Sequence, residues 1–97
     1  MPSQTVYLDH AATTPPDPEV VEAMSPYLKD HFGNAHSPHQ FGRKANGAVE
    51  TARQTIAEAI GADPAEIVFT CGGTESNNAI IKGVVRGDAG SQIITSK

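Results

Sequence analysis

The chain has 97 residues, of which 38% are hydrophobic and 19% charged, and its formal net charge is −4. This length corresponds to at most one small domain, which buries roughly two-thirds of its unfolded surface if it folds alone. The seven basic residues are scattered among eleven acids, so composition disfavours nucleic acid or an anionic membrane as a partner. No apolar run approaches the ~20 residues that span a bilayer and no secretory signal is recognisable, so a cytoplasmic protein is expected. The single cysteine, Cys71, fits a reducing compartment.

The first part of the sequence predicts a short extended segment, a loop and a helix. Residues 5–8 (TVYL) have strand-like composition, and residues 9–18 form a loop rich in proline. The helix is predicted to begin at Pro18 with Asp17 as its N-cap, and Pro26 predicts a kink or a break near its end. The apolar positions that recur at helical spacing are Val20, Val21, Met24 and Leu28.

A second helix is predicted after a polar loop at residues 30–42. It covers residues 42–60 and ends at Gly61, which favours a left-handed C-terminal cap. The residues expected on its buried stripe are Ala45, Val49, Ala52, Ile56 and either Ala59 or Ile60. Because most of these side chains are small, close packing on a neighbour is expected.

The last part of the sequence predicts one βαβ unit. Residues 66–70 (EIVFT) and 92–96 (QIITS) have the β-branched composition of strands. A helix is predicted between them, from Thr74 to about Val85. Two strands joined by a helix usually belong to a parallel sheet, so the predicted fold class is α/β.

The junction between the first strand and this helix, FTCGGTESNN at residues 69–78, is a candidate anion site. A helix N-terminus offers unpaired N–H groups and about half a positive charge, at the edge where parallel strands end. Gly72 and Gly73 allow an anion to approach the backbone, and the hydroxyl of Thr74 suits a phosphate oxygen or a helix cap. A junction of this type is more often a capped turn without a ligand, so both interpretations stay open on the pattern alone.

Three stretches resemble a known family. VYLDHAATTPPDPEVVEAM, HFGNAHSPHQFG and EIVFTCGGTESNNAIIKG, in this order and at this spacing, are similar to the N-terminal part of the cysteine desulfurases. These are pyridoxal phosphate-dependent enzymes of the class V aminotransferase type. The resemblance covers nearly the whole chain and implies the aspartate-aminotransferase architecture (fold type I), with one βαβ unit of the large-domain sheet present here. Residues 1–97 are then expected to be an N-terminal fragment, with about 1–15 as a small-domain or entrance segment and about 16–97 opening the large cofactor-binding domain.

The resemblance also implies an activity and partners. Enzymes of this family convert L-cysteine to L-alanine and transfer persulfide sulfur, for iron–sulfur cluster assembly or thiolation, to a scaffold or another acceptor protein. The implied cofactor is pyridoxal 5'-phosphate, and the implied assembly is a homodimer. The alternatives are a selenocysteine lyase, another class V aminotransferase, and a non-catalytic module that retains the motifs.

The resemblance assigns roles to residues of the glycine junction. Gly73 and Thr74 correspond to the pair that binds the cofactor phosphate, through a backbone N–H and through an N–H with a hydroxyl, respectively. Glu75 and Asn78 fall within the same motif, but the first turn of a helix favours acidic and small polar residues. A capping role is therefore expected for both.

Roles are also implied for the loop residues. His39 corresponds to a loop histidine that approaches the active site, so a substrate-side role and a local hydrogen bond are both open. Residues 11–14 (AATT) either line the substrate entrance or fix the start of the first helix. His10 and His36 depart from the commoner family residues, which disfavours catalytic duties. His31 suits a helix C-terminus. No metal is expected, because this irregular loop poorly matches the geometry of a zinc site.

No residue of this chain other than His39 is a candidate for catalysis. Cys71 is the only thiol, but it lies where relatives usually carry serine, and it is expected to be a buried, inert structural cysteine. The lysines are Lys29, Lys44, Lys82 and Lys97. None of them corresponds to the lysine that binds the cofactor, which the resemblance places beyond residue 97 together with the sulfur-accepting cysteine. The 97-residue chain alone is therefore expected to be inactive.

Overall fold

The computed structural model describes residues 5–87, 90 and 92–96. The described residues form three α-helices and one 3-10 turn, which are α1 (Pro18–Lys29), α2 (Gln40–Ile60), the 3-10 turn (Pro64–Glu66) and α3 (Gly73–Gly87). None of the helices in this part of the chain is both long and apolar enough to cross a bilayer. The chain divides into two compact units, Met1–Arg53 and Gln54–Lys97, which are described separately.

The described residues contain no β-strand, so the predicted βαβ unit is not found among them. Residues 5–8 and 67–70 are irregular, and Glu66 belongs to the 3-10 turn and not to a strand. The residues of the second predicted strand, QIITS at 92–96, are likewise irregular. A strand exists only as a ladder of hydrogen bonds with a neighbouring strand. The composition of a segment shows that it is suited to such a ladder, but it does not show that a neighbouring strand is present.

Helix α1 begins as the sequence predicts. The carboxylate of Asp17 accepts the backbone N–H of Glu19 at 2.9 Å, and Pro18 occupies the first helical position. Of the two alternatives predicted for Pro26, a kink or a break, the break is wrong, because α1 continues to Lys29. Pro26 has no N–H to donate, but its carbonyl oxygen accepts the first two backbone N–H groups beyond the helix, each at 2.9 Å. The proline therefore removes a single helical bond without ending the helix.

Helix α2 ends as predicted. Gly61 has a positive φ of 69°, the left-handed conformation that glycine adopts without steric cost. The N–H of Gly61 donates to the carbonyl of Glu58 at 3.3 Å, and the N–H of Ala62 donates to the carbonyl of Ala57 at 2.9 Å. These two bonds form a Schellman motif, which satisfies carbonyl groups that the helix end would leave unpaired.

The buried face of α2 differs from the predicted stripe. Ala45 is buried and Val49 is half-buried, as predicted. The other predicted members are exposed: Ala52, Ile56, Ala59 and Ile60. Ala57, which was not predicted, is 0% exposed, and at 100° per residue it lies about 120° around the helix from Ala45. A single stripe assumes one neighbour along the whole helix, whereas α2 begins in the first unit and ends in the second.

Helices α1 and α3 keep their apolar side chains exposed. None of the residues of α1 is buried. The large exposed apolar residues of the two helices are Val20, Val21, Met24, Tyr27, Leu28, Ile80, Ile81, Val84 and Val85. Among the described residues the buried hydrophobic side chains are those of Ala45 and Ala57. The helical periodicity thus predicted the helices correctly, but it did not predict that their apolar side chains are exposed in this structure.

The loop before α2 is held together by local bonds. The side-chain oxygen of Asn34 accepts the backbone N–H of His36 at 2.9 Å, and its carbonyl accepts the N–H of Ser37 at 3.0 Å. Asparagine commonly closes turns in this way. The rings of Phe32 and Phe41 stack with their centroids 6.1 Å apart. The loop and the first turn of α2 therefore pack as one piece within the first unit.

Gly42→Ala is expected to destabilise this packing. An added Cβ would overlap the carbonyl oxygen of Ser37 and lie 2.7 Å from that of Asn34, both of them backbone atoms. Overpacking of this kind typically costs about 1–3 kcal/mol, which would lower the melting temperature of the complete polypeptide in scanning calorimetry. Gly47→Ala in the same helix is the control, because nothing lies within 4 Å of its added Cβ. That change should stabilise α2 by about 0.5–1 kcal/mol. Equal melting temperatures for the two variants would contradict the packing described.

Candidate functional site

The start of α3 leaves three backbone donors free. The carbonyl oxygen of Gly72 accepts the backbone N–H of Ser76 at 3.1 Å, which makes Gly72 the N-cap residue. The N–H groups of Gly73, Thr74 and Glu75 precede this first helical donor, and within the described residues none of the three has a hydrogen-bond acceptor. The junction therefore presents three unpaired donors at the positive end of the helix dipole.

The hydroxyl of Thr74 adds a fourth donor. Thr74 is exposed, and its hydroxyl makes no hydrogen bond in the part of the chain that the structure describes. The carbonyl of Thr74 accepts the side-chain amide of Asn78 at 2.8 Å. Asn78 thus bonds the helix backbone and caps none of the free N–H groups, which departs from the expected capping role. Several donors converging at one helix end suit an anion with several oxygens, such as a phosphate group.

The two glycines before and at the start of α3 face open space. A Cβ added at Gly72 or Gly73 would meet nothing within 4 Å. Neither residue has a positive φ, which among the described residues only Gly61 adopts. Neither backbone conformation nor any described neighbour therefore requires glycine at these positions. The absent side chains instead leave the backbone N–H groups accessible, which is what close approach of an anion needs.

The carboxylate of Glu75 accepts a hydrogen bond from the backbone before the helix. One of its oxygens accepts the N–H of Cys71 at 2.8 Å. Hydrogen bonds from the Cys71 thiol and then from the Cys71 backbone N–H hold the pKa of the Glu75 carboxyl below its ordinary value. Glu75 therefore bonds to the backbone before the N-cap and leaves the three N–H groups of the junction free, so it also departs from the expected capping role.

Acidification is expected to break the bond between Glu75 and Cys71. Because the pKa of Glu75 in the folded chain lies below its ordinary value of 4.5, the bond stabilises the turn above that pH. This contribution is lost as the pH falls through the lowered pKa. The amide resonance of Cys71 in NMR spectra of the complete polypeptide should therefore shift in this acidic range. Glu75→Gln keeps an acceptor that does not titrate, so the same shift in that variant would contradict the assignment.

Cys71 is not buried. Its thiol forms no disulfide and is exposed in the described structure, so the expectation of a buried cysteine is wrong there. That expectation assumed that Cys71 ends a strand inside a sheet, and the described residues form no strand. The predicted structural role of Cys71 now depends on its bonds to Glu75 and not on burial.

His39 occupies the N-cap position of α2. Its carbonyl accepts the N–H of Arg43 at 3.0 Å, and the Nδ1 atom of its ring accepts the N–H of Gly42 at 3.4 Å. Both bonds are typical of a residue that caps a helix. This geometry matches the local hydrogen bond that was one of the two alternatives for His39. The substrate-side role stays a prediction, and the ring atom left for it is Nε2.

Residues 11–14 lie in a loop that is bonded to the segment before it. The ring Nδ1 atom of His10 and the hydroxyl of Thr14 are 2.9 Å apart and hydrogen-bonded. The hydroxyl of Tyr7 donates to the carbonyl of Thr13 at 3.1 Å, and the rings of Tyr7 and His10 meet edge to face with centroids 4.8 Å apart. These contacts lie within residues 7–14 and do not reach α1, so the alternative in which the loop fixes the start of α1 stays a prediction. A place at the substrate entrance stays a prediction.

Within the described residues no group of three or more histidine, cysteine, aspartate or glutamate side chains could hold a metal ion. The ring of His31 lies edge to face against Tyr27, with centroids 5.7 Å apart.

Lys97 is one of the four lysines that do not correspond to the cofactor-binding lysine of the family, and it lies outside the described residues.

Sequence comparison defines the class of this protein. Residues 6–97 match the family Aminotransferase class-V, so the chain belongs to that family, whose members have the fold type I architecture. This finding confirms the resemblance on which the sequence-based assignment rested. The finer prediction of a βαβ unit is not confirmed, because the described residues form no strand.

Several curated relatives are named cysteine desulfurases. Over 94 residues the chain is 60% identical to the cysteine desulfurase IscS of Dictyoglomus turgidum, a match that covers 95% of this chain and 24% of that protein. It is 53% identical over 97 residues to IscS of Rickettsia felis, covering 97% of this chain and 24% of the relative. It is 56% identical over 82 residues to the cysteine desulfurase of Rattus norvegicus, covering 84% and 18%. The chain thus spans about a quarter or less of these relatives.

Proposed function

We propose that this chain is the N-terminal part of a pyridoxal phosphate-dependent cysteine desulfurase. The complete enzyme converts L-cysteine to L-alanine and transfers persulfide sulfur to an iron–sulfur scaffold or another acceptor, for cluster assembly or thiolation. The observation that carries the proposal is the donor set at the start of α3, where three free N–H groups and the Thr74 hydroxyl lie beside two unhindered glycines. The identity of 53–60% to proteins named cysteine desulfurase IscS supports the same reaction.

The residues of the junction fit the phosphate of the cofactor. Gly73 offers a backbone N–H, and Thr74 offers an N–H and a hydroxyl, each a hydrogen-bond donor to a phosphate oxygen. The dipole of α3 favours the phosphate charge at the same end. When bound, pyridoxal phosphate supplies an electron sink for reactions at the α-carbon of an amino acid. The part played by these residues of the chain is to hold the cofactor in place.

His39 is proposed as a substrate-side residue of this enzyme. Because Nδ1 accepts the N–H of Gly42, the proton of the neutral ring lies on Nε2, which can donate to a substrate oxygen. No other residue of the chain is assigned to catalysis. The lysine that binds the cofactor and the cysteine that accepts sulfur are proposed to lie beyond residue 97.

The proposal extends to the architecture of the complete enzyme. Residues of about 1–15 would belong to a small-domain or entrance segment, although residues 1–4 lie outside the described ones. Residues of about 16–97 would open the large domain, with 66–70 and 92–96 as parallel strands of its sheet. Exposed apolar side chains in irregular segments, such as Val68 at 76% and Ile94 at 94%, support pairing with further chain. The enzyme is proposed to act as a homodimer in the cytoplasm.

The test is the reaction of the complete polypeptide with L-cysteine. With pyridoxal phosphate and an added thiol reductant, it should release alanine and sulfide in equal amounts. Turnover of selenocysteine alone would indicate a selenocysteine lyase. Transfer of an amino group to a 2-oxo acid without sulfide would indicate an aminotransferase. Failure to bind the cofactor would indicate a non-catalytic module, and each of these three results would refute the desulfurase assignment.

A further inference from the structure

Two hydroxyl groups meet at the carbonyl of Gly72. The Oγ1 atom of Thr70 lies 3.1 Å from the Gly72 oxygen, and the Oγ atom of Ser76 lies 3.3 Å from it. The two hydroxyl oxygens are 2.7 Å apart. Thr70 and Ser76 are half-buried, whereas Gly72, Gly73 and Thr74 are exposed. The cluster therefore joins the segment before the glycines to the first turn of α3.

The hydroxyl protons can serve this cluster in two ways. There are two protons for three contacts, so one hydroxyl donates to the other and the second donates to the Gly72 carbonyl. In one arrangement Thr70 donates to Ser76, and in the other Ser76 donates to Thr70. The backbone N–H of Ser76 bonds to the same carbonyl at 3.1 Å. In both arrangements the Gly72 carbonyl accepts one hydrogen bond from a side-chain hydroxyl and one from the backbone N–H of Ser76.

Holding this carbonyl also sets the direction of a free donor. The C=O of Gly72 and the N–H of Gly73 belong to one planar trans peptide unit, in which they point in opposite directions. A pair of glycines is otherwise the most adaptable backbone, because neither residue has a Cβ that restricts φ and ψ. With the Gly72 carbonyl directed at Ser76 and Thr70, the N–H of Gly73 must point away from them.

We infer that Thr70 and Ser76 are positioning residues for the cofactor phosphate, acting through the Gly72–Gly73 peptide. This inference rests on the proposed function, since it assumes that Gly73 and Thr74 bind the phosphate. Neither hydroxyl binds the phosphate itself, because both protons are used within the cluster. Their effect is to orient the Gly73 donor before binding, so that the backbone need not be ordered when the phosphate arrives.

The experiment compares two ligands of the complete apo-polypeptide, pyridoxal phosphate and pyridoxal, which lacks the phosphate. The variants are Thr70→Val and Ser76→Ala, singly and together. We expect the double variant to lower the preference for pyridoxal phosphate over pyridoxal by about tenfold, the effect of losing about one net hydrogen bond. Each single variant should lower it by only about threefold, because the remaining hydroxyl still reaches the Gly72 carbonyl. Thr70→Ser keeps a hydroxyl and should restore the wild-type preference.

A purely structural role for the cluster would weaken both ligands equally and leave the preference unchanged. That result for the double variant would overturn the inference. If the double variant does not fold, the comparison of Thr70→Val with Thr70→Ser decides, and equal preferences would likewise overturn it.

Thr74→Ala separates this inference from the proposed function. If Thr74→Ala lowers the preference while the Thr70 and Ser76 variants leave it unchanged, the positioning role is wrong and the phosphate site stands. If Thr74→Ala also has no effect, the phosphate site itself is wrong, and the positioning role is overturned with it.

Discussion

Gly73→Val is expected to abolish retention of pyridoxal phosphate by the complete polypeptide. The added side chain would occupy the open space in front of the free N–H groups, where at present a Cβ meets no atom within 4 Å. Thr74→Ala should have a smaller effect. It removes one hydroxyl donor to an ionised acceptor, an interaction that contributes about 1.5–3 kcal/mol, or roughly a 10- to 150-fold change in affinity. The measurement is cofactor absorbance remaining after desalting, followed by titration of the apo-form.

Gly83→Val is the matched control for the phosphate site. Gly83 lies in the same helix, and an added Cβ there also meets nothing within 4 Å. The two substitutions therefore make the same change in side-chain volume, but Gly73 is at the helix start and Gly83 is in the helix interior. Full cofactor occupancy in both the Gly73→Val and Thr74→Ala variants would refute the phosphate site. Equal loss in Gly83→Val would attribute the effect to the fold.

The isolated 97-residue chain is expected to release no sulfide from L-cysteine. The motif comparison assigns none of its lysines to the cofactor, and it places the sulfur-accepting cysteine beyond residue 97. The chain also exposes large apolar side chains on α1 and α3, and contiguous exposed apolar surface favours association or aggregation. Weak, non-covalent binding of pyridoxal phosphate is the most that the donors of α3 would support.

Sulfide release should appear when the downstream polypeptide is supplied, either covalently or as a separate chain. Cys71→Ser in the complete enzyme should leave turnover largely intact, because Cys71 is assigned no sulfur-transfer role. Sulfide production by the 97-residue chain that Cys71→Ala abolishes would overturn both expectations. The exposure of the Cys71 thiol makes this control necessary, since burial does not protect it from reaction.

The ends of the helices could be predicted from the sequence because helix capping is local. Asp17 bonds to a residue two positions away, and Gly61 closes α2 through bonds that span three and five residues. The glycine junction was recognisable for the same reason. A helix start leaves its first N–H groups unpaired whatever surrounds it, and Gly73 and Thr74 stand at that start in the structure.

Tertiary structure decided the features that depend on a neighbour. Strand formation at 66–70 requires a second strand, and the burial of Ala57 in place of Ile56 depends on what packs against the end of α2. The contact between Thr70 and Ser76 was also invisible in the sequence, since it forms only because the chain turns at the glycines between them. Helix caps and free N–H groups at a helix start depend on a few consecutive residues. Pairing and burial are properties of two surfaces, and a sequence pattern describes only one of them.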